Sequence, residues 1–221
     1  YWRVWVIELS MDKKKSIVAY FDFDGTLTYH DTLMPFLRYV VGNFTVLINL
    51  PYLLAIALRY LCKNLTNEQA KQLTLTRLLK GKSLKFIEHK AKNFAQTKLH
   101  KYINPVVYAK LEWHREHQSQ IILVSANLAI YLRYWCQLHK IDGVIATEIE
   151  VVNGLVTGKL ATRNCYAQEK VNRIQKFLSQ HNLQFDYIFA YGNSAGDYQM
   201  LNMANEGYLI KGEYIGNWKH R

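Results

Sequence analysis

Cysteine is scarce in this chain of 221 residues, with only Cys62, Cys136 and Cys165. Their number is odd, they lie far apart, and the sequence contains neither a CxxC pair nor a Cys/His spacing typical of zinc. A disulfide framework and a structural zinc site are therefore not expected. The three cysteines are interpreted as packing residues of a protein in a reducing compartment, the cytoplasm.

Acidic residues are scarce in one long segment. The whole chain has 28 Lys and Arg against 17 Asp and Glu, a net charge of +11. Between Arg59 and Lys110 there are twelve Lys and Arg but only two acids, Glu68 and Glu88, so this segment carries nearly the whole excess. It is either a solvated helical face or a surface that attracts an anionic partner. No helix-turn-helix, zinc-finger or aromatic RNA-binding motif accompanies it, so nucleic acid is not expected.

The order of apolar runs predicts an α/β fold. Half of the residues are hydrophobic, there are no internal repeats, and buried strands alternate with helical segments. Such alternation is typical of a Rossmann-like, doubly wound parallel sheet. The predicted strands are 16–22, 121–124, 144–146, 187–191 and 208–210, and the predicted helices are 128–139, 166–179 and 195–204.

Two features interrupt this alternation. A largely helical region, about Thr32 to Tyr108, separates the first strand from the second and is bounded by Pro35 and Pro105. Later, residues 148–160 alternate around an Asn-Gly pair, which predicts a β-hairpin with a type I′ turn. The sequence therefore predicts a sheet domain with a helical insertion and a hairpin.

The strongest motif stands at the end of the first strand. Residues 20–28 read YFDFDGTLT and follow the apolar run 16–19. Side chains alternate along a strand, but the chain turns at Gly25, so Asp22 and Asp24 can converge beyond its carboxyl end. That edge of an open α/β sheet is where ligands bind.

Three further polar groups follow in order. Ser125 ends the second strand, Lys170 lies in the first turns of a helix, and residues 192–197, GNSAGD, follow another strand. Each signal is weak by itself. Together they supply what a phosphomonoesterase needs, namely a nucleophile, a proton donor and positive charge around the phosphoryl oxygens.

DFDGTLT at residues 22–28 matches the DxDGT signature of the haloacid dehalogenase superfamily, most of whose members are Mg²⁺-dependent phosphohydrolases. GNSAGD resembles the GDxxxD metal motif of that superfamily. The place of the insertion and the hairpin resemble subfamily IB, which includes phosphoserine phosphatases. The resemblance covers residues 16–210. It implies a catalytic core at residues 11–31 and 109–221 and a helical cap at 32–108, with residues 1–10 as a leader or extension of unknown role.

The resemblance also implies catalytic roles. Asp22 would be the nucleophile that forms an aspartyl-phosphate. Asp24 would protonate the leaving oxygen, later activate water, and offer its backbone carbonyl to Mg²⁺. Lys170 would neutralise negative charge on Asp22 and on the phosphoryl group.

Binding roles follow from the same motifs. Thr26, Ser125 and the backbone N–H of Ala126 would hold the phosphoryl group, together with Lys170. The Mg²⁺ site would combine Asp22 and Asp24 with Asn193 and Asp197, the latter anchoring either the metal's waters or Lys170. The superfamily usually has Asp where this chain has Asn193. An amide oxygen still binds Mg²⁺, so weaker metal binding is expected rather than an inactive enzyme.

The sequence indicates the substrate less clearly than it indicates the reaction. Residues 39–58 carry no charge, and Arg38 and Arg59 flank them. Glycine, asparagine and proline interrupt this run, and spanning a bilayer would separate the cap from Asp22, so a transmembrane helix is not expected. Two interpretations stay open: a helical hairpin buried in the cap, or apolar helices that dock with the basic stretch on an anionic membrane through residues 39–110.

Phe36–Leu37–Arg38–Tyr39 and the apolar run after them loosely resemble the bacterial phosphatidylglycerophosphatase C type. The predicted function is a Mg²⁺-dependent phosphomonoester hydrolase, cytoplasmic or at the inner face of the membrane, acting on a phosphorylated lipid such as phosphatidylglycerophosphate. The alternatives are a phosphatase of a small soluble metabolite, like phosphoserine, and a non-catalytic module that binds phosphate or lipid.

Overall fold

The computed structural model describes residues 16–218. The extension predicted at residues 1–10 lies outside the described residues. The predicted α/β fold is confirmed, with helices on a mostly parallel sheet and a separate hairpin. The strands are β1 Ile17–Phe21, β2 Gln120–Leu128, β3 Gly143–Thr147, β4 Ile149–Val152, β5 Leu155–Leu160, β6 Tyr187–Gly192, β7 Glu206–Lys211 and β8 Tyr214–Asn217. The helices are α1 Leu33–Val41, α2 Asn43–Leu61, α3 Asn67–Leu79, α4 Leu84–Thr97, α5 Pro105–Glu116, α6 Ala129–Leu138, α7 Gln168–Gln180 and α8 Tyr198–Asn202.

The sheet topology brings β1 to the centre. The strand order is β3-β2-β1-β6-β7-β8, and all neighbours are parallel except the antiparallel pair β7 and β8. The chain builds outward on one side of β1 and then crosses to its other side with β6. The carboxyl end of β1 is therefore at a switch point of the sheet, where a crevice opens for a ligand.

Both faces of the sheet are covered. Side chains of β1 alternate, so Ala19 and Phe21 enter one apolar cluster while Val18 and Tyr20 enter the other. The first cluster also contains buried side chains from α1, α3 and α4. The insertion thus shares a core with the sheet domain.

The hairpin β4–β5 supports the insertion. Gly81, in the turn between α3 and α4, donates its N–H to the Val156 carbonyl at 2.8 Å, and the Val156 N–H donates to the Lys82 carbonyl at 2.9 Å. Gly158 has φ +85°, and a Cβ there would lie 2.2 Å from the Thr76 Cα. The backbone of the hairpin therefore lies directly against α3, at a distance that only glycine allows.

The insertion is predicted to end between residues 108 and 109, but the contacts of helix α5 favour an earlier end. Helix α5 continues through this boundary from Pro105, with Asn104 capping it by accepting the Val106 N–H at 3.1 Å. Val107 and Leu111 of α5 are buried in the first apolar cluster, and the helix packs on β2. We therefore propose that the insertion ends at Asn104.

Helix α2 is largely exposed. The interpretation of residues 39–58 as a buried helical hairpin is wrong, because Ile56 is the one buried residue of α2. The helix begins after Gly42, whose φ of +83° separates it from α1. It is long and apolar enough to cross a membrane by length and composition alone.

Most other elements match the predicted ones except at their ends. Strand β2 continues past the expected end at Val124 to Leu128, with a register shift after Ser125. The helix expected at 195–204 is a short turn at Ala195–Asp197 followed by α8. Strand β8, at the sheet edge, was not predicted.

Candidate active site

The turn after β1 places two carboxyl groups at the sheet edge. Asp22 donates its backbone N–H to the Tyr191 carbonyl of β6 at 2.9 Å, which ends the strand pairing. Gly25 then reverses the chain with φ +76°, and a Cβ there would lie 2.1 Å from the Asn193 amide nitrogen. The glycine of the motif is therefore needed both for its backbone conformation and for space.

Lys170 lies at the centre of the site. Its ammonium, buried on the first turn of α7, donates to Asp22 Oδ1 at 2.6 Å and to Asp197 Oδ1 at 2.6 Å. A third bond, of 2.9 Å, goes to the Val124 carbonyl of β2. All three N–H groups of the ammonium are thus used, and one cation neutralises part of the charge of two buried carboxylates.

The charges shift the pKa values of this cluster. Burial and then the charge of Asp197 raise the pKa of Asp22 to about 6, against the lowering effect of Lys170. Burial lowers the pKa of Lys170, but Asp197 and Asp22 outweigh it and hold that pKa above its ordinary value. The ammonium is therefore charged at neutral pH.

Asp24 is held in a different environment. Its Oδ1 accepts the Thr32 N–H at 2.8 Å and the Thr32 hydroxyl at 2.6 Å, and its Oδ2 accepts the Asn127 amide at 2.5 Å. Burial raises its pKa to about 7, with a contribution from the charge of Asp31, while the bonds from Thr32 and Asn127 lower it. A carboxyl group with this pKa can both give and take a proton near neutral pH.

The loop after β6 is held by Asp197. Its Oδ2 accepts the backbone N–H of Asn193 at 3.1 Å, and both the N–H and the hydroxyl of Ser194 at 3.0 Å. Its other oxygen binds Lys170. These contacts support the second of its two predicted roles, the anchoring of Lys170.

The structure brings most predicted site residues to one cavity of about 510 Å³. Thr26 is fully buried behind the cavity. Its hydroxyl donates to Asp22 Oδ2 at 3.1 Å, so it contacts the cavity only through Asp22. Asn193 lies beside the turn, with its amide against Gly25. The predicted residues that line the cavity itself are Asp22, Asp24, Ser125, Ala126, Lys170 and Asp197.

Sequence reasoning missed Thr32 and Asn127, which hold Asp24. Asn127 follows Ser125 by two residues at the same strand end, and that position was a usable signal. Its N–H donates to the Ser125 hydroxyl oxygen at 3.0 Å. Thr32 is the last residue before α1, and a threonine at a helix start is too common to indicate a site.

Sequence reasoning also missed Lys71 of α3. Its ammonium donates to the Ala126 carbonyl at 2.6 Å and to the Asn164 side-chain oxygen at 2.7 Å, and it lines the cavity. Burial lowers its pKa to about 8. No local pattern marks it, because it is one of twelve basic residues in its segment.

The cavity has one polar and one apolar wall. Carboxylates and lysines form its floor at the sheet edge, and α2 and α3 close it from above. Leu50 and Leu54 both line it and are 41% and 54% exposed. The α2 residues that line the apolar wall are Val46, Leu50, Leu53, Leu54, Ile56, Ala57 and Tyr60.

The donors at the sheet edge fit a hard cation. No group of three or more His, Cys, Asp and Glu that could hold a metal occurs within residues 16–218, so carboxylates alone do not form a site. The Asp22 carboxylate, the Asp24 backbone carbonyl and the Asn193 amide would supply oxygen atoms only. Such a set suits Mg²⁺, which prefers oxygen ligands and keeps several waters.

The chain is similar to known proteins over most of its length. A family model described as haloacid dehalogenase-like hydrolase matches residues 19–202. Protein CicA from Caulobacter vibrioides is 29% identical over 199 residues, which cover 88% of this chain and 86% of that protein.

Solved structures show the same fold. A protein of unknown function from Bordetella pertussis Tohama I has a TM-score of 0.78 and 21% identity, covering 87% of this chain and 89% of its own. A phospho-aspartyl intermediate analogue of a phosphoserine phosphatase has a TM-score of 0.61 and 18% identity, covering 88% and 86%.

We predict that Lys170→Met destabilises the protein by about 3–5 kcal/mol at neutral pH, because it leaves two neighbouring buried carboxylates without their cation. Urea denaturation measures the loss. The deficit should shrink as the pH is lowered, since protonation removes the unpaired charges.

Lys176→Met is the matched control, since Lys176 is exposed on the same helix. It should change the free energy of unfolding by no more than about 0.5 kcal/mol. Equal stability of the two variants would show that the Lys170 cluster does not hold the site together.

Proposed function

Because the chain belongs to the haloacid dehalogenase-like hydrolase family, we propose that it is a Mg²⁺-dependent phosphomonoesterase that works through a phosphorylated Asp22. The predicted family membership is confirmed by the match over residues 19–202. The observation that carries the proposal is the buried contact of Lys170 with Asp22 at the end of β1, with Asp24 beside it in the same cavity.

The first step in this proposal is attack by a carboxylate oxygen of Asp22 on the substrate phosphorus. A bond forms between that oxygen and phosphorus while the bond from phosphorus to the leaving oxygen breaks. The leaving oxygen takes the proton of Asp24, whose raised pKa keeps a substantial protonated fraction near neutral pH. Lys170 balances the negative charge throughout.

The second step releases phosphate. Asp24, now a carboxylate, takes a proton from a water molecule that attacks the phosphorus, and the bond to Asp22 breaks. Thr32 and Asn127 hold both oxygens of Asp24, so the same group serves as acid and then as base without moving. The Ser125 hydroxyl and the Ala126 N–H would bind the phosphoryl oxygens.

Bound Mg²⁺ would lower the negative charge on the phosphoryl oxygens and so favour attack by an anionic nucleophile. Asp22, the Asp24 carbonyl and Asn193 would hold it, while Asp197 holds Lys170. A phospho-aspartyl analogue of a phosphoserine phosphatase of similar fold supports the covalent route.

We predict that Asp22→Asn lowers the hydrolysis of an aryl phosphate by at least about 10³-fold, because an amide oxygen is a far poorer nucleophile than a carboxylate. Steady-state kinetics with p-nitrophenyl phosphate measures it. The fold should persist, since an amide oxygen can still accept the bond from Lys170.

Asp31→Asn is the matched control. Asp31 lines the same cavity, but it is exposed and its Oδ1 accepts the Leu33 N–H at 2.9 Å, a bond that Asn can replace. Its activity should stay within a few-fold of the natural protein. Activity of Asp22→Asn equal to that control would exclude the covalent mechanism, and inactivity of the natural protein on every phosphomonoester would favour a non-catalytic binding module.

We predict that Asn193→Asp lowers the half-saturating Mg²⁺ concentration about tenfold, since a carboxylate binds a hard cation more strongly than an amide. The half-saturating concentration is measured by titrating Mg²⁺ and following both the activity and the shift in melting temperature. Asn205→Asp is the control, because Asn205 accepts the Ile188 N–H near the start of β6, at the other end of the strand. If Asn193→Asp matches this control, Asn193 does not ligate the metal.

The apolar wall of the cavity favours a phosphorylated lipid, such as phosphatidylglycerophosphate, over a soluble metabolite. Phosphoserine would leave the leucines of α2 in water around a small polar molecule. An acyl chain would instead cover them. Each leucine side chain that is fully buried by the chain would contribute about 1.5–3 kcal/mol to the free energy of binding. The apolar surface continues from Leu50 and Leu54 to the outside of α2.

The outside of α2 favours a membrane as partner. Phe44, Leu47, Ile48, Leu58 and Leu61 are 60–74% exposed. We call this set the apolar stripe of α2; its spacing places Phe44, Leu47, Ile48 and Leu58 on one side of the helix. A contiguous exposed apolar surface of this kind indicates contact with a membrane or a partner. Arg59 on the same helix and Arg38, which donates to Asn43 at the start of α2, would attract anionic lipid.

We predict that the double substitution Leu50→Gln with Leu54→Gln lowers kcat/KM for a long-chain lipid phosphate by a factor on the order of ten or more, because both side chains would cover the acyl chain. Hydrolysis of p-nitrophenyl phosphate by the same variant should be unchanged. Efficient turnover of phosphoserine with no turnover of lipid phosphate would select the soluble-metabolite alternative.

A further inference from the structure

A second cavity of about 800 Å³ lies beside the active site. Helix α1, the first turn of α2 and the end of α4 with the turn that follows it form its walls. Met34 and Val46 line both this cavity and the catalytic one, so the two cavities are neighbours. The mechanism proposed above uses no residue that belongs to the second cavity alone.

The charge of the second cavity is all of one sign. Arg38, Lys98 and Lys101 line it, and no Asp or Glu is among the lining residues. The side chains of Lys98 and Lys101 form no hydrogen bond or ion pair within residues 16–218. Arg38 donates to the Asn43 side chain at the start of α2. These three cations are exposed and have no carboxylate partner among the lining residues, so they give the cavity a positive charge that attracts an anion.

Apart from Asn43 and Gly42, the remaining lining residues of the second cavity are apolar or aromatic. Tyr39, Phe94 and Tyr102 contribute rings, and Met34 and Val46 contribute aliphatic surface. A small, strongly hydrated anion gains nothing from such walls. The surface suits a molecule that joins an anionic group to apolar or glycerol carbon atoms.

The second cavity also lies next to the apolar stripe of α2. Asn43 lines the cavity, and Phe44, the following residue, is the first member of the stripe and is 74% exposed. A molecule with its anionic group in the cavity could therefore place acyl chains along the stripe.

We propose that the second cavity binds the phosphate-bearing headgroup of an anionic phospholipid that is not the substrate, while its acyl chains lie along the apolar stripe of α2. This inference rests on the membrane partner proposed above, and it needs no catalytic step. The bound lipid fixes α2 at the membrane surface with its N-terminal turn at headgroup level, which keeps the open side of the catalytic cavity against the bilayer.

The test is vesicle sedimentation with the full chain, on vesicles of phosphatidylcholine with and without phosphatidylglycerol. The triple variant Arg38→Gln, Lys98→Gln and Lys101→Gln should bind phosphatidylglycerol vesicles roughly 100-fold more weakly, from about 1 kcal/mol for each basic residue. The control variant Lys140→Gln, Lys159→Gln and Lys176→Gln loses the same charge at exposed positions outside the insertion. It should bind phosphatidylglycerol vesicles only a few-fold more weakly than the natural protein.

Competition with soluble anions distinguishes a lipid site from a site for a free anion. Glycerophosphoglycerol, the soluble headgroup, should displace the protein from vesicles weakly, whereas full displacement by it or by inorganic phosphate would overturn the proposal in favour of a soluble-anion site. Equal binding to both kinds of vesicle, or equal loss in both triple variants, would also overturn it.

Hydrolysis of p-nitrophenyl phosphate keeps this proposal distinct from the catalytic one. The cavity variant should retain it, which also shows that the variant is folded. If the natural protein binds phosphatidylglycerol vesicles through this cavity but hydrolyses no phosphomonoester, the lipid site stands and the proposed catalysis fails.

Discussion

The ammonium of Lys170, buried between Asp22 and Asp197, is the interaction on which the rest of the site depends. It joins three parts of the fold: the end of β1, the carbonyl of Val124 on β2, and the loop after β6. Buried ion pairs of this kind are costly to break, because the remaining charge has no partner. The cluster therefore fixes Asp22, the proposed nucleophile, in place and keeps a positive charge where a phosphoryl group would arrive.

The insertion completes the site as well as covering it. Thr32 at its start holds Asp24, and Lys71 of α3 reaches the carbonyl of Ala126, so the insertion contacts two of the segments that carry the proposed chemistry. The hairpin β4–β5 supports α3 from the other side through close backbone contact at Gly158. Helix α2 has a single buried residue, Ile56, and leaves most of its large apolar side chains exposed to solvent. This exposure is unfavourable for a protein in water, and the proposed contact of the apolar stripe with a membrane would relieve it.

The sequence was sufficient for features that depend on local order, and insufficient for those that depend on distant contacts. The strand that precedes Asp22, the hairpin turn and the helical insertion all follow from periodicity and turn residues. Lys170 could be found because it occurs in a known order of motifs. Lys71 could not, because its role comes from a bond to Ala126, 55 residues away. The exposure of α2 could not be predicted either, since an apolar helix has the same sequence pattern in a core as on a surface.

The central claim is that Asp22 carries the phosphoryl group during turnover. The most direct measurement is mass spectrometry of peptides from protein that is quenched with acid while it hydrolyses an aryl phosphate in the presence of Mg²⁺. We predict one phosphate on the peptide that contains Asp22, assigned to that residue by fragmentation. The phosphorylated peptide should disappear when the substrate is exhausted. Phosphate on another residue, or steady turnover with no phosphorylated peptide at any quench time, would contradict it.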